Sequence, residues 1–270
     1  MTRTSVPLIV GAFQFAGSGD VGRNAAAIER GICQAARRGV RLLVTQECAL
    51  TGYAGVDIDS PGDIDRGALA AATRRLAAMA GQYRMHVALG TTTFHRGRAR
   101  NSLCLIGPDG LGGRAYHKRA QFGDDALHYV PGVSAGGVRN VDGVRVGLRI
   151  CFEFRFPEYF RELLAGRADL AAMAFSMVGP DVWKFDVARA HLMARAAENG
   201  LYVLAANSIS RRQNAPTCLV SPDGRVLAQA PRGREALIVG LVERHEATPL
   251  RASIVAHARG LTRGPRQRGR

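Results

Sequence analysis

The sequence is poor in lysine, has no closely spaced cysteines and contains no long apolar run. Arg, Gly, Asp or His interrupts every hydrophobic stretch before it reaches the roughly 18 residues that a membrane helix needs. The first residues, MTRTSVPLIVGAFQF, lead straight into an alternating apolar strand and lack the features of a signal peptide. We therefore expect a cytoplasmic protein with no membrane partner.

The cysteines lack the spacing of a metal site or a disulfide framework. They are Cys33, Cys48, Cys104, Cys151 and Cys218, with no Cys-x-x-Cys pair and no histidine-rich neighbourhood. We therefore expect free thiols, no metal and no cofactor. A single cysteine is usually a small buried apolar residue, but in a reducing compartment one of these thiols is free to act as a nucleophile.

Positive charge is abundant, and almost all of it is arginine. Of 37 basic residues only Lys118 and Lys184 are lysine, and the formal net charge is +15. Such a charge raises nucleic acid as a partner, but many arginines fall singly on predicted helices that also carry acidic residues. The one dense basic run is RGLTRGPRQRGR. Its Gly and Pro predict a disordered tail at 259–270, after a single domain at 1–258, and we expect no specific nucleic-acid partner.

Strand and helix patterns alternate along the chain in two similar halves, each closed by a Pro-Asp-Gly hairpin. In the first half the predicted elements are strands at 6–15, 40–47 and 85–94, helices at 24–39 and 65–83, and a hairpin at 101–118. In the second half they are strands at 144–151, 169–176 and 201–207, helices at 155–166 and 188–199, and a hairpin at 217–230. This repetition predicts an α/β fold built as a four-layer α-β-β-α sandwich, with two sheets flanked by helices.

Three reactive side chains end predicted strands: Glu47, Lys118 and Cys151. The ends of neighbouring strands converge on one edge of a sheet, where α/β folds place their chemistry. Together these groups supply a thiol that attacks a carbonyl, a carboxylate that takes the thiol proton and an ammonium that stabilises the oxyanion. Each also has a simpler interpretation: an inert core thiol, a residue at the exit to solvent, and a surface lysine.

The segments around these residues point to one family. QECALTGY, AYHKRAQFGDDALHYVPG and GLRICFEFRFPE resemble, in order, the three signature regions of the nitrilase or carbon-nitrogen hydrolase superfamily, and ARAAENGLYVLAAN extends the resemblance. The resemblance covers residues 7–242, and three ordered motifs are far more specific than one. It implies a Glu47, Lys118 and Cys151 triad that works through a thioester. The Phe152 backbone N–H would complete the oxyanion hole, and the protein would be a homodimer or larger homo-oligomer.

Further residues are candidates for supporting roles. The family places a second acidic residue after the lysine, and Asp125 or Asp124 fits that position. Tyr53, Glu153 and Arg155 are candidates for the substrate pocket. Core packing is the alternative for Tyr53, and stabilisation of the turn after Cys151 is the alternative for Glu153 and Arg155.

The resulting hypothesis is an amidase that hydrolyses a small primary carboxamide to ammonia and a carboxylic acid, with water as the second reactant. A hydrolase of an N-carbamoyl amino acid or amine is the alternative, although Phe154 stands where the carbamoyl amino acid branch has the first of two arginines. A nitrile substrate is less favoured, because Phe152-Glu153 replaces the Trp-Glu pair of true nitrilases. A polyanion-binding protein and a catalytically degenerate ligand-binding homologue remain as alternatives of a different class.

Overall fold

The computed structural model describes residues 7–111, 115–209, 212–243 and 249–262. The strands in these ranges are β1 (Leu8–Gln14), β2 (Leu42–Thr45), β3 (His86–His95), β4 (Arg98–Gly107), β5 (Gly110–Leu111), β6 (Tyr116–His117), β7 (Val138–Val141), β8 (Val144–Ile150), β9 (Leu170–Phe175), β10 (Tyr202–Asn207), β11 (Cys218–Val220), β12 (Val226–Gln229) and β13 (Ala236–Val242). The α-helices are α1 (Val21–Arg37), α2 (Arg66–Gln82), α3 (Asp125–His128), α4 (Pro157–Ala165), α5 (Lys184–Asn199) and α6 (Pro249–Thr262).

The strands form two sheets. The first has seven strands in the order β13-β1-β2-β3-β4-β5, with β6 also paired to β4. The second has six strands in the order β12-β11-β10-β9-β8-β7. Parallel pairing joins β1, β2 and β3 in one sheet and β8, β9 and β10 in the other. Apart from β13, each half of the chain therefore builds one sheet, as the repeated pattern predicts.

Alternation along the central strands gives each sheet two apolar faces. In β1, Leu8, Val10 and Ala12 belong to the core that also contains the second sheet, whereas Phe13 belongs to the core beneath α1 and α2. On the second sheet, Leu163 of α4 packs so closely over Gly147 of β8 that a Cβ there would collide with it. The layers are therefore helices, sheet, sheet and helices, and the predicted sandwich is confirmed.

Several elements lie outside the predicted pattern, among them β13, β7 and α6. β13 returns from the second half to the first sheet and pairs antiparallel with the whole of β1. β7 forms an edge of the second sheet. α6 contacts α4 and α5, and its Arg251 forms a 3.0 Å ion pair with Asp169.

The predicted hairpin and tail differ from the structure in their bounds. β4 begins before the predicted hairpin and pairs mainly with β3, and only the short β5 and β6 follow its turn. α6 ends at Thr262 and so includes the first residues of the predicted tail, while 263–270 lie outside the described residues. No helix in the described ranges is both long and apolar enough to cross a membrane.

Candidate active site

The two sheets bring Glu47, Lys118 and Cys151 together at one end of the sandwich. Glu47 lies in the turn after β2, and its backbone N–H donates to the carbonyl of Phe175, which ends β9 in the other sheet (3.2 Å). Lys118 directly follows β6, and Cys151 begins a short 3₁₀ helix directly after β8. Strand ends from both sheets therefore contribute to the site.

The Lys118 ammonium is held between two carboxylates. Its Nζ lies 2.7 Å from Glu47 Oε1 and 2.7 Å from Asp125 Oδ2. The exposed fractions of the Lys118, Glu47 and Asp125 side chains are only 1%, 0% and 2%. Removing one member of such a buried group leaves an uncompensated charge, which typically costs about 3–5 kcal/mol. The cluster therefore fixes each of its charged groups in place.

The Glu47 carboxylate is oriented by three donors. Oε1 accepts from Lys118 Nζ and from Asn101 Nδ2, both at 2.7 Å, and Oε2 accepts from the Ser176 backbone N–H at 2.9 Å. Sequence reasoning did not single out Asn101 or Ser176. The signal that could have found Asn101 is a polar side chain opening an otherwise apolar strand segment, NSLCLIG.

Cys151 has a backbone conformation that is unusual for a residue with a Cβ. Its φ is 43°, in the left-handed region, which typically costs about 1–3 kcal/mol and persists only where the surroundings enforce it. Burial and the nearby Glu47 carboxylate raise the pKa of its thiol. The turn therefore holds the thiol at the end of the sandwich that also carries Glu47 and Lys118.

The protonation states follow from burial and charge. Burial raises the pKa of the Cys151 thiol well above its ordinary value, the Glu47 carboxylate raises it further, and the Lys118 ammonium offsets these effects only in part. Burial alone would lower the pKa of Lys118, but Glu47, Cys151 and Asp125 outweigh it and hold that pKa well above its ordinary value. These shifts favour a neutral thiol beside a protonated ammonium at neutral pH.

Asp125, rather than Asp124, contacts the lysine. Asp125 is buried and also accepts from Tyr53 Oη (2.5 Å) and from the Phe122 backbone N–H (2.9 Å). Asp124 is exposed one residue earlier, before the first turn of α3. Tyr53 Oη also lies 3.5 Å from Lys118 Nζ, so this ring contributes to the cluster as well as to the cavity wall.

A cavity of about 210 Å³ opens onto the thiol. Its described lining includes Tyr53, Val56, Phe122, Cys151, Phe152, Phe154, Arg155, Ser176, Met177, Val178, Lys184 and Asn214. Drug-sized ligands occupy pockets of roughly 300–1,000 Å³, so this cavity suits a smaller molecule. Among the described residues, no group of three or more His, Cys, Asp or Glu side chains could hold a metal ion.

The remaining predicted residues divide between the cavity and the interior. Arg155 lines the cavity, and no carboxylate in the described ranges pairs with its guanidinium, which lies 5.4 Å from the Phe154 ring. Phe152 lines the cavity too, and its amide belongs to the first turn of the 3₁₀ helix. Glu153 instead points inward and has no exposed surface. Its carboxylate accepts hydrogen bonds from the Tyr116 hydroxyl and the Ile150 backbone N–H. The alternative of turn stabilisation therefore fits Glu153, and it is not a pocket residue.

The carbon-nitrogen hydrolase family matches residues 9–252 of the chain. The chain belongs to this family. It is 27% identical over 222 residues to the 2-oxoglutaramate amidase of Bacillus subtilis, and the aligned region covers 79% of this chain and 82% of that protein. It is 31% identical over 160 residues to an (R)-stereoselective amidase of a Pseudomonas species, covering 57% of each. The predicted family membership and the prediction of a non-peptide carbon-nitrogen hydrolase are therefore confirmed.

Solved structures show the same fold. A mutant of the Nesterenkonia AN1 amidase, from the nitrilase superfamily, superposes with a TM-score of 0.81 over 97% of both chains at 21% identity. A further mutant of that amidase, with a TM-score of 0.82 and 21% identity over 97% of both chains, carries the acetamide moiety of fluoroacetamide on its active-site cysteine. At 21% identity, this similarity shows that the chain shares the fold of these amidases.

Proposed function

We propose that this hydrolase cleaves the C–N bond of a small primary carboxamide through a thioester on Cys151. The observation that carries the proposal is the buried cluster of Glu47, Lys118 and Asp125 beside a thiol that opens onto a small cavity. In this proposal Glu47 acts as the base, Lys118 as the cation and Cys151 as the nucleophile around the substrate carbonyl. A binding protein without turnover would have no use for this buried charge.

Acylation begins with a neutral thiol. As Cys151 Sγ bonds the carbonyl carbon, Glu47 takes the thiol proton, and the carbonyl oxygen becomes an oxyanion that Lys118 and the Phe152 backbone N–H stabilise. The tetrahedral intermediate then collapses and the C–N bond breaks. Protonated Glu47 returns the proton to the leaving nitrogen, so ammonia departs and the thioester remains.

Deacylation uses the same base. Glu47 removes a proton from a water molecule that attacks the thioester carbonyl, and the second oxyanion forms where the first one formed. Collapse of this intermediate breaks the C–S bond and releases the carboxylic acid. The proton held on Glu47 returns to the Cys151 sulfur, which restores the resting thiol.

The cavity supports a short, largely apolar acyl chain. Its volume of about 210 Å³ and its wall of Val56, Phe122, Phe152 and Met177 leave room for few heavy atoms beyond the amide. The Nesterenkonia AN1 amidase, at 21% identity and a TM-score of 0.81, has been solved as a mutant in complex with butyramide. Both observations support a short aliphatic amide.

One observation favours a second candidate, an N-carbamoyl amino acid. Arg155 lines the cavity, and its guanidinium, which pairs with no carboxylate of the described ranges, could bind a substrate carboxylate. Phe154 supplies no second charge. We therefore rank the carbamoyl compounds below the carboxamides.

Ammonia release from a panel of short amides and N-carbamoyl amino acids tests the ranking. We expect kcat/KM for the best primary amide to exceed that for every carbamoyl compound by about tenfold or more, the effect of one missing charge-assisted bond. Cys151→Ala is the blank for both series. The reverse ranking would favour the carbamoyl alternative, and no turnover of either series would contradict the proposed function.

We also propose that the protein is a homodimer or larger homo-oligomer. Its molar mass in solution, measured by light scattering, tests this proposal.

A further inference from the structure

Glu153 is a fully buried carboxylate that contacts none of the reacting groups. Its Oε1 accepts from Tyr116 Oη at 2.7 Å and from the Arg119 backbone N–H at 2.8 Å. Its Oε2 accepts from the Ile150 backbone N–H at 2.8 Å. A buried carboxylate is costly unless donors surround it, and here three of them do.

The three donors belong to two separate catalytic segments. Arg119 directly follows Lys118, and Tyr116 lies two residues before it, whereas Ile150 directly precedes Cys151. Along the chain, Glu153 is 34 residues from Arg119 and 37 residues from Tyr116, but only three residues from Ile150. One carboxylate thus joins the strand end that presents the ammonium to the turn that presents the thiol.

We propose that Glu153 is a positioning residue that sets the place of the Lys118 ammonium relative to the Cys151 thiol. This inference rests on the proposed function, since it assigns Glu153 a role in that reaction. Oxyanion stabilisation depends on this relative placement, because the donor must meet the oxygen of the carbonyl that the thiol attacks. A displacement of about 1 Å can cost a hundredfold in rate.

The contact with Ile150 also supports the strained backbone of Cys151. The Glu153 side chain turns back over the first turn of the 3₁₀ helix and holds the residue before the left-handed Cys151. Left-handed backbone at a residue with a Cβ requires such an enforcing contact. Glu153 therefore stabilises the turn at Cys151 and also connects the Lys118 segment to that turn.

All three contacts require an acceptor, which explains a carboxylate at this position. Burial raises the pKa of Glu153, and the two backbone N–H groups and the tyrosine hydroxyl act against that rise. A glutamine of the same shape would direct its NH₂ group at one of these donors. Glu153→Gln therefore breaks the link on one side without changing the volume of the side chain.

A matched control lies nearby. Glu162 pairs with the guanidinium groups of Arg119 and Arg149 at the half-exposed outer side of the same region, but it contacts neither Ile150 nor the Arg119 backbone. Glu162→Gln removes a carboxylate from the neighbourhood and leaves the link between the segments intact. It should keep kcat within about threefold of wild type, because the Glu162 carboxylate is 39% exposed and the buried Arg149 keeps its hydrogen bonds to the Tyr159 carbonyl.

The test is a double-variant cycle between Glu153→Gln and Lys118→Ala. The measured step is acylation of Cys151 by an activated aryl ester, which reports on the site without requiring amide turnover. We expect Glu153→Gln to slow acylation by about tenfold to a hundredfold with KM within about threefold. In the Lys118→Ala background the same substitution should slow acylation by a clearly smaller factor, because the lysine is absent and only the contact of Glu153 with the Cys151 turn remains.

Equal losses in both backgrounds, or a folded Glu153→Gln protein with the wild-type rate, would overturn the inference. If Glu153→Gln does not fold, Tyr116→Phe removes one of the three donors and keeps both backbone contacts. It should show a smaller loss with the same coupling to Lys118, and additive effects would again overturn the inference. Failure of the proposed function would instead appear in the wild-type chain, as an absence of ammonia release from amides.

Discussion

Two cysteines in this molecule share the same unusual backbone and yet have different surroundings. Cys48 and Cys151 both follow a strand, both are buried, and their φ values are 50° and 43°. Burial, followed by the charge of Glu47, raises the pKa of each thiol. Strain, burial and a shifted pKa are therefore common to both residues.

The difference lies in what each thiol faces. Cys48 packs in a small cluster with Ala54, Ala99 and Tyr129, and its Sγ lies 3.8 Å from Tyr129 Oη. Cys151 instead lines the cavity. An open path to substrate, rather than strain, distinguishes the proposed nucleophile. Left-handed backbone at Cys48 shapes the turn that carries Glu47 instead.

The largest expected effect is on turnover when each thiol is removed in turn. Cys151→Ala should lower kcat for the best amide by more than about a thousandfold, because a nucleophile has no substitute in a thioester mechanism. Cys48→Ala should keep kcat within about threefold. Ammonia release measures both rates, and thermal unfolding verifies that each variant is folded. Substantial turnover by Cys151→Ala would contradict the assignment of Cys151 as the nucleophile. If Cys48→Ala lost turnover while Cys151→Ala kept it, the assignment of the two cysteines would be reversed.

The next effect concerns the Lys118 ammonium, which lies between the Glu47 and Asp125 carboxylates. Lys118→Arg keeps the charge but replaces a compact ammonium with a broad planar fork in a cluster whose side chains are at most 2% exposed. We expect kcat to fall about a hundredfold, similar to the loss of one oxyanion-hole donor. Steady-state kinetics on the best amide measures it.

The control for that substitution is the other lysine of the chain. Lys184 also lines the cavity, but its ammonium is paired with Asp181 at 2.6 Å, and an arginine can keep this pair. Lys184→Arg should therefore retain kcat within about threefold. Near-normal kcat in Lys118→Arg would mean that the cation at Lys118 does not act on the oxyanion.

The sequence predicts the sandwich and brings the three reactive residues to one edge, because strand periodicity and ordered motifs are local properties of the chain. It leaves Asp125 and Asp124 undecided, since the choice depends on how the first turn of α3 faces Lys118. It also misses β13, whose pairing of Val242 with Leu8 joins opposite ends of the chain. The partners of Glu153 are equally remote, so a pattern read along the sequence shows only an acidic residue in a turn.

The smallest expected effect is spectroscopic and concerns the resting state of the two thiols. Since burial and Glu47 raise the pKa of Cys151 well above its ordinary value, its thiolate should be scarce at neutral pH. Ultraviolet thiolate absorbance of the wild type minus that of Cys151→Ala should therefore stay near zero through neutral and mildly alkaline pH. The same difference taken with Cys48→Ala should behave alike, because burial raises that pKa also. A Cys151 signal already present near neutral pH would indicate a preformed thiolate. Glu47 would then have no thiol proton to take in the acylation step.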